Sequence, residues 1–174
     1  MEFTKTIDIN VSARDVWDVL GNHFDKAQDW LSSVAVSTRT DAADKVEGAP
    51  MRGRVCELST KPNGPVIDEH ITLFDDQNMR LGIHVVPLQG NLPIDHTDSV
   101  VDVIPTGDSS CRVVWNVNIE LKTTGKLLYP AMVVGLKKGF SDILEELKYY
   151  TEEGKPHPRK VKAMAAAERS MAAL

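Results

Sequence analysis

The chain has 174 residues, of which 42% are hydrophobic and 26% are charged, and its formal net charge is −5. A chain of this length is enough for one domain that buries roughly two thirds of its unfolded surface. Acidic and basic residues are interleaved along the sequence. Because binding to phosphates requires concentrated positive charge, we expect no nucleic-acid partner.

The cysteines and the first residues bear on the cellular compartment. Cys56 and Cys111 lie in separate apolar-rich segments, which favours two buried free thiols over a disulfide. The opening MEFTKTIDINV lacks the apolar stretch of a secretory leader. No run of about 18 apolar residues, the length of a membrane-spanning helix, occurs in the chain. We therefore expect a cytoplasmic protein with no membrane insertion.

The first predicted elements are a strand and two short helices. Residues Phe3 to Val11 alternate between apolar and polar side chains, which is the pattern of a half-buried strand. Ser12, followed by Asp15 three positions later, resembles a helix capping box. A second short helix is predicted between Asn22 and Leu31, and it would point Trp30 inward.

From about Val34 to Lys122 the period of the hydrophobic pattern changes to two, which is typical of β-strands. Clusters of turn residues divide this region into five or six strands joined by hairpins, as in an antiparallel meander. The last strand has the clearest pattern, because Val113, Trp115 and Val117 alternate with mostly polar residues. Trp115 and Val117 are therefore predicted to face the core.

A helical period returns after Lys122 and predicts an amphipathic helix of about twenty residues. Gly135 and Gly139 interrupt this helix, and each costs about 1 kcal/mol relative to alanine. They either let the sheet approach closely or leave cavity volume under the helix. The apolar stripe consists of Leu128, Met132, Leu136, Phe140, Ile143, Leu144 and Leu147.

The elements together predict an α+β fold. A one-faced sheet and a one-striped helix each need a cover, which is provided if a curved antiparallel β-sheet wraps around the long C-terminal α-helix, with two short helices after strand 1. We assign residues 1–155 to this domain. Residues 156–174 are basic and then alanine-rich, and they are expected to form a loosely attached helix or to be disordered.

The order of these elements resembles the helix-grip superfamily. This superfamily includes the polyketide cyclases, the StAR-related lipid-transfer (START-like, SRPBCC) domains, the birch-pollen-allergen type and the abscisic acid receptors. The resemblance implies an apolar cavity between sheet and long helix that holds a small molecule or lipid, but it transfers no substrate or activity. It covers about residues 2–155 and is carried by IDINVSARDVWDVLGNH, DKAQDWLSSV, GPVIDEHITLFDD, VVWNV and GLKKGFSDILEELKYYTEEGK.

The turn of the central hairpin allows its register to be predicted. If Asn78 adopts the left-handed conformation at the end of a three-residue loop, Asp75 pairs with Met79. Glu69 then lies in an otherwise aliphatic wall of the cavity. The register opposes Leu73 to Leu81, Ile71 to Ile83, Glu69 to Val85 and His70 to His84.

Glu69 has three possible roles. An ionised carboxylate in an apolar wall is costly unless it is paired or hydrated. It is a structural partner of Arg52 or Arg54, an anchor that orients a ligand, or a catalytic acid/base acting with His96 or Asp95. In the abscisic acid receptors a glutamate on the matching strand lines the pocket, so the resemblance implies that Glu69 is the main polar residue of this cavity.

We predict binding or transport of a small hydrophobic or amphipathic molecule, which is a lipid or a polyketide-like or aromatic compound. One alternative is a polyketide cyclase/aromatase or dehydrase-like enzyme that uses the same cavity. A second alternative is a protein-interaction module with a collapsed cavity. Besides Glu69, the predicted ligand-binding residues are Ile71, Ile83, Val85, Trp115, Val117, Met132, Leu136 and Trp30.

The residue pattern also bears on metal and cofactor sites. His70 and His84 would face each other on the outer side of the sheet, but two ligands are insufficient for a dedicated metal site, so no metal is predicted. No cofactor is predicted, because the sequence has no glycine-rich phosphate loop, nucleophile elbow, HExxH or CxxC motif. Thr60–Pro65 and Leu88–Pro93 match in position the loops that guard the cavity of the receptors, although their sequences differ. The sequence specifies no oligomeric state.

Overall fold

The main element of the fold is an antiparallel β-sheet, seen in a computed structural model that describes residues 1–61, 63–123 and 129–171. Its seven strands lie in the order β1-β7-β6-β5-β4-β3-β2, so β2 to β7 form a meander and β1 pairs with the last strand. The predicted α+β fold class is confirmed. The strands are β1 (Glu2–Ile9), β2 (Val36–Thr40), β3 (Gly53–Glu57), β4 (Val66–Asp75), β5 (Arg80–Gln89), β6 (Ile94–Gly107) and β7 (Ser110–Leu121).

The two predicted short helices follow β1. Ser12 caps the first of them, because its hydroxyl accepts a hydrogen bond from the Asp15 backbone N–H and donates one to the Asp15 carboxylate. This helix continues into a π-helical turn, and a 3₁₀ turn precedes the second helix. The bounds are α1 (Ala13–Trp17), the π-helical turn (Asp18–Asn22), the 3₁₀ turn (Phe24–Lys26) and α2 (Ala27–Trp30).

The long helix α3 (Tyr129–Glu153) covers the concave face of the curved sheet, as predicted. Leu144 and Leu147 of its apolar stripe are buried in the core. Phe140 packs edge-on against Phe3 and Trp115, with ring centroids 5.3 and 5.4 Å away. Aromatic contacts of this kind add to the burial of apolar area and fix how the helix lies on the sheet. Residue 128 of the predicted stripe lies outside the described residues.

The two glycines of α3 face open space. A Cβ atom placed at Gly135 or Gly139 would meet no heavy atom within 4 Å. Close approach of the sheet is therefore not the reason for these glycines. Both line a groove of about 240 Å³ between α3 and residues 31–33, and neither lines the cavity between sheet and helix, so the alternative that they leave cavity volume under the helix stays a prediction.

The turn between β4 and β5 differs from the predicted one. Asp75 pairs with Arg80, and Met79 (φ 53°) takes the left-handed conformation instead of Asn78. The Asp75 carboxylate accepts hydrogen bonds from the backbone and side-chain N–H groups of Asn78, at 3.0 and 2.7 Å. These bonds hold Asn78 inside a longer turn, so the predicted pairs of Asp75 with Met79 and of Leu73 with Leu81 are wrong.

A bulge at Thr72 compensates for the longer turn. Beyond it, Ile71 pairs with Ile83, His70 with His84 and Glu69 with Val85, as the predicted register has them. A bulge places one extra residue on one strand and so changes the parity of the side chains that follow. Leu73, predicted to face inward, is therefore 38% exposed, and Phe74 is buried in its place.

A final helix, α4 (Pro158–Met171), follows Gly154, which ends α3 in the left-handed conformation (φ 66°). Of the two expectations for the tail, helix or disorder, the described part is helical, and residues 172–174 lie outside it. The assignment of residues 1–155 as a separate domain stays a prediction. No helix in the described ranges combines the length and the apolar character needed to cross a membrane.

Candidate ligand-binding site

A cavity of about 240 Å³ lies between the inner face of the sheet and α3. Four of the predicted ligand-binding residues, Glu69, Ile83, Val85 and Trp115, line it. Because protein atoms do not fill this cavity, the alternative of a collapsed cavity does not describe this structure. The other lining residues are Leu31, Ser33, Val34, Arg54, Leu58, Ile67, Pro87, Leu92, Ile94, Thr97, Ser99, Phe140 and Ile143.

A buried ion pair forms part of the cavity wall. Arg54 of β3 and Glu69 of β4 are register partners, and Nε of Arg54 donates a hydrogen bond to Oε2 of Glu69. Their side chains are only 9% and 13% exposed. The guanidinium also donates from Nη1 to the Phe24 carbonyl oxygen and stacks on the Phe24 ring, 3.9 Å from its centroid. Such an array fixes the direction of both charged groups.

Of the two arginines predicted as partners of Glu69, the structure selects Arg54. Arg52 instead donates to the carbonyl oxygens of Asp41 and Ala43, at 3.3 and 3.0 Å. Successive residues of a strand point to opposite faces, so Arg54 shares the inward face with Glu69 when it is the direct register partner of Glu69.

Cys56 lies beside the ion pair. Its Sγ is 3.7 Å from Oγ of Ser37 and 3.9 Å from Oε2 of Glu69. Burial raises the pKa of Cys56 to about 12, and the neighbouring Glu69 charge raises it further than Arg54 lowers it. The thiol is therefore neutral and unsuited to be a nucleophile. Both cysteines are free and buried, as predicted.

Trp115 contributes a hydrogen-bond donor near the cavity. Its indole Nε1 is buried and has no acceptor within the described part of the chain. Thr97 and Ser99 of the adjacent strand β6 add two buried hydroxyl-bearing side chains to the cavity wall. A few polar groups in a mainly apolar wall are typical of sites that orient a small molecule.

The remaining predicted pocket residues lie around the cavity rather than on it. Ile71 and Val117 are buried in the core, and Met132 packs against that core. Trp30 borders an adjoining space of about 20 Å³ near α2. Leu136 lines the groove beside α3.

The structure does not bring Asp95 and His96 to Glu69. His96 Nδ1 lies 3.0 Å from Oδ2 of Asp95, and the His96 ring is 5.5 Å from the ring of His84. Because Thr97 faces the cavity, its neighbour His96 points to the opposite face of the sheet. The predicted catalytic set of these three residues is therefore not assembled.

His70 and His84 are register partners, but each is close to an aspartate. His84 Nδ1 is 2.7 Å from Oδ1 of Asp98. His70 Nε2 is 2.9 Å from Oδ2 of Asp68, although the ring is not aligned to form a hydrogen bond there. Across the described ranges, no group of three or more metal-ligating side chains is suited to hold an ion.

The loops Thr60–Pro65 and Leu88–Pro93, which match in position the loops that guard the receptor cavity, contact each other. Gln89 Nε2 of the second loop donates to the Gly64 carbonyl oxygen of the first at 3.1 Å. The first loop is also closed at its base, where the Leu58 N–H donates to the Pro65 carbonyl oxygen at 2.9 Å. Leu92 of the second loop reaches the cavity wall. Residue 62 of the first loop lies outside the described residues.

Several cavity residues are absent from the ligand-binding set predicted from the sequence. Thr97 and Ser99 share the parity of the buried Val101, so the period of two identifies their face once β6 is placed. Phe140 lies on the predicted stripe of α3, which does not indicate that it reaches the cavity. Ser33 lies between the predicted second helix, which ends at Leu31, and the strand pattern that begins near Val34, so no periodic signal covers it.

The sequence model of the family described as "Polyketide cyclase / dehydrase and lipid transport" matches residues 1–152. The chain belongs to this family. Its description covers both enzymes and carriers, so membership supports a cavity-based role without selecting one. No curated protein matches this member of the polyketide cyclase/dehydrase family. The match ends before α4 begins.

Solved structures share the predicted helix-grip fold with this polyketide cyclase/dehydrase family member. The Zhui aromatase/cyclase from Streptomyces sp. R1128 has a TM-score of 0.68 at 10% identity, over 87% of this chain and 93% of that one. A START superfamily protein from Mycobacterium smegmatis has a TM-score of 0.65 at 12% identity, over 87% and 97%. Norcoclaurine synthase from Thalictrum flavum, in complex with dopamine and hydroxybenzaldehyde, has a TM-score of 0.55 at 18% identity, over 89% and 88%. At these identities the similarity shows the fold alone.

Proposed function

We propose that this protein binds a small amphipathic molecule in the cavity between the sheet and α3. The observation that carries the proposal is a largely apolar cavity whose wall includes the buried Arg54–Glu69 ion pair. Apolar walls favour binding by removing apolar ligand surface from water, and a few fixed polar groups select orientation. The family description, which includes lipid transport, supports the same role.

The size of the cavity favours a compact ligand. Its volume of about 240 Å³ lies below the roughly 300–1,000 Å³ of sites that enclose drug-sized molecules. One or two rings, or a short chain, fit this volume better than a multi-ring polyketide or a complete lipid. The similarity in fold to norcoclaurine synthase, with its bound dopamine and hydroxybenzaldehyde, supports a ligand of the single-ring phenol class.

The polar part of the ligand is expected to meet the ion pair. Within the part of the chain that the structure describes, every hydrogen bond to the Glu69 carboxylate uses Oε2, and Nη2 of Arg54 makes none. Oε1 of Glu69 is thus available to accept from a ligand hydroxyl, and Nη2 of Arg54 to donate to a ligand oxygen. A phenol or a hydroxy-carbonyl compound suits this arrangement.

Filling the cavity tests this function. Ile83→Trp adds a bulky ring to the cavity wall, so we expect it to weaken binding of 2-naphthol and 4-hydroxybenzaldehyde by about tenfold or more, measured by titration calorimetry. The matched control is Ile104→Trp, since Ile104 is exposed on β6 outside the cavity. Equal affinity in Ile83→Trp and wild type, or no binding of either phenol by wild type, would contradict the proposal.

A cyclase- or dehydrase-like reaction is the second candidate, and the same ion pair favours it. Arg54 could polarise a ligand carbonyl while Glu69 moves a proton. Glu69→Gln should then abolish turnover of a bound hydroxy-carbonyl substrate while its dissociation constant changes by less than about threefold. Equal loss of binding and turnover would identify Glu69 as an anchor instead.

A further inference from the structure

The helix α4 packs against the segment that forms one side of the cavity. We call residues 31–34 the mouth segment, since Leu31, Ser33 and Val34 all line the cavity. α4 begins at Pro158, after residue 152, where the match to the family's sequence model ends.

Glu146 joins α3, the mouth segment and α4. Its side chain is only 1% exposed. Oε2 accepts a hydrogen bond from the Ser32 N–H at 2.7 Å, while Oε1 accepts from the Ser32 hydroxyl at 2.7 Å and from Nε of Arg159 at 2.8 Å. Arg159 also bonds to the Glu145 carboxylate at 3.0 Å and to the Asp142 carbonyl oxygen at 3.1 Å. The first turn of α4 is thus fixed to α3 through charge-assisted hydrogen bonds.

Lys160 makes the second connection. It is only 3% exposed, and its Nζ donates a hydrogen bond to the carbonyl oxygen of Val34 at 2.8 Å. Burial lowers the pKa of Lys160, while Asp29 and Glu146 favour its charged form. Lysine is almost never fully buried unless it is paired, so this contact is a specific part of the structure rather than a surface contact.

Two residues of the cavity wall also border a second space. A groove of about 320 Å³ lies between α4 and residues 58–61. Val34 and Leu58 line both this groove and the cavity. Lys160, which holds the Val34 carbonyl, lines the groove as well. Movement of the mouth segment away from Leu58 would connect the cavity to the groove.

We propose that Lys160 and Arg159 are positioning residues that hold the mouth segment closed. A cavity ligand enters and leaves when this segment opens between Val34 and Leu58. The proposal rests on the proposed function in that it needs a cavity ligand. It adds that α4 sets the rate of ligand exchange, whereas the walls of the cavity set which ligand binds. Exchange would then depend on opening of contacts that lie more than 100 residues apart in sequence.

Lys160→Met tests this role, with Lys162→Met as the matched control because Lys162 is exposed on the same helix. In the ligand-free protein, amide hydrogen exchange of residues 31–35 should become at least about tenfold faster in Lys160→Met, since one charge-assisted hydrogen bond is lost. Exchange of β6 and β7 should stay at the wild-type rate. In stopped-flow measurements, 2-naphthol should dissociate faster by a similar factor. Lys162→Met should leave both rates unchanged.

The outcomes separate the two proposals. Wild-type exchange of residues 31–35 in Lys160→Met would overturn the role of α4, whatever the cavity binds. Absence of 2-naphthol binding by wild type would overturn the proposed function and the positioning of a ligand with it. If Lys160→Met does not fold, Arg159→Gln with Arg169→Gln as its control gives the same comparison, because the Arg169 side chain bonds only within α4 among the described residues.

Discussion

Replacing Arg54 by methionine is expected to lower the free energy of unfolding by about 3 kcal/mol, measured by urea denaturation. The change leaves the Glu69 carboxylate in the cavity wall without its counter-charge, and a buried charge that loses its partner is strongly destabilising. It also removes the hydrogen bond to the Phe24 carbonyl oxygen and the stacking on the Phe24 ring. Access of water to the cavity places the effect at the lower end of the range for buried pairs.

Two variants distinguish loss of the ion pair from loss of side-chain packing. Arg52→Met removes the neighbouring, more exposed arginine and should cost less than about 1 kcal/mol. The double variant Arg54→Met with Glu69→Gln removes both charges, so it should regain about 2 of the 3 kcal/mol. If the loss of unfolding free energy in the double variant equals the sum of the losses in Arg54→Met and Glu69→Gln, packing of Arg54 rather than its pairing with Glu69 explains the destabilisation.

The sequence predicts the order of elements and the face of Glu69 because both depend on short-range periodicity. Alternation in β7 and the helical stripe of α3 each reflect one buried face, and the sheet and helix can only cover each other. The register near Glu69 is correct even though the turn prediction is wrong. The longer turn and the bulge at Thr72 each change the register by one residue, and the two changes cancel.

The parts of the site that the sequence does not predict depend on contacts between distant residues. Whether Arg52 or Arg54 pairs with Glu69 follows from the register of β3 on β4, which no turn of defined length fixes here. The buried Lys160 has no local signal, since lysine in a basic segment is normally a solvated residue. Its burial becomes evident only when α4 is placed against Val34.

Gly53 precedes Arg54 and lies where the backbones of β3 and β4 are too close together for a side chain at this position. A Cβ atom at this position would lie 2.1 Å from the carbonyl oxygen of Glu69 and 3.0 Å from Cα of His70. Both are backbone atoms of a paired strand, so no side-chain rotation can relieve the overlap. The strands would have to separate next to the hydrogen bond from the Ile71 N–H to the Arg52 carbonyl oxygen, which is 2.9 Å long.

Gly53→Ala is therefore expected to cost about 3 kcal/mol of unfolding free energy. Gly139→Ala is the matched control, because its Cβ meets no atom within 4 Å and alanine is favoured over glycine in a helix by about 1 kcal/mol, so it should be neutral or stabilising. Separation of β3 from β4 also moves Arg54 away from Glu69, so Gly53→Ala should weaken binding of 2-naphthol in protein that remains folded at low temperature. A Gly53→Ala protein with wild-type stability and affinity would show that β3 can shift without disturbing the ion pair, and the pair would then not be the fixed polar end of the cavity.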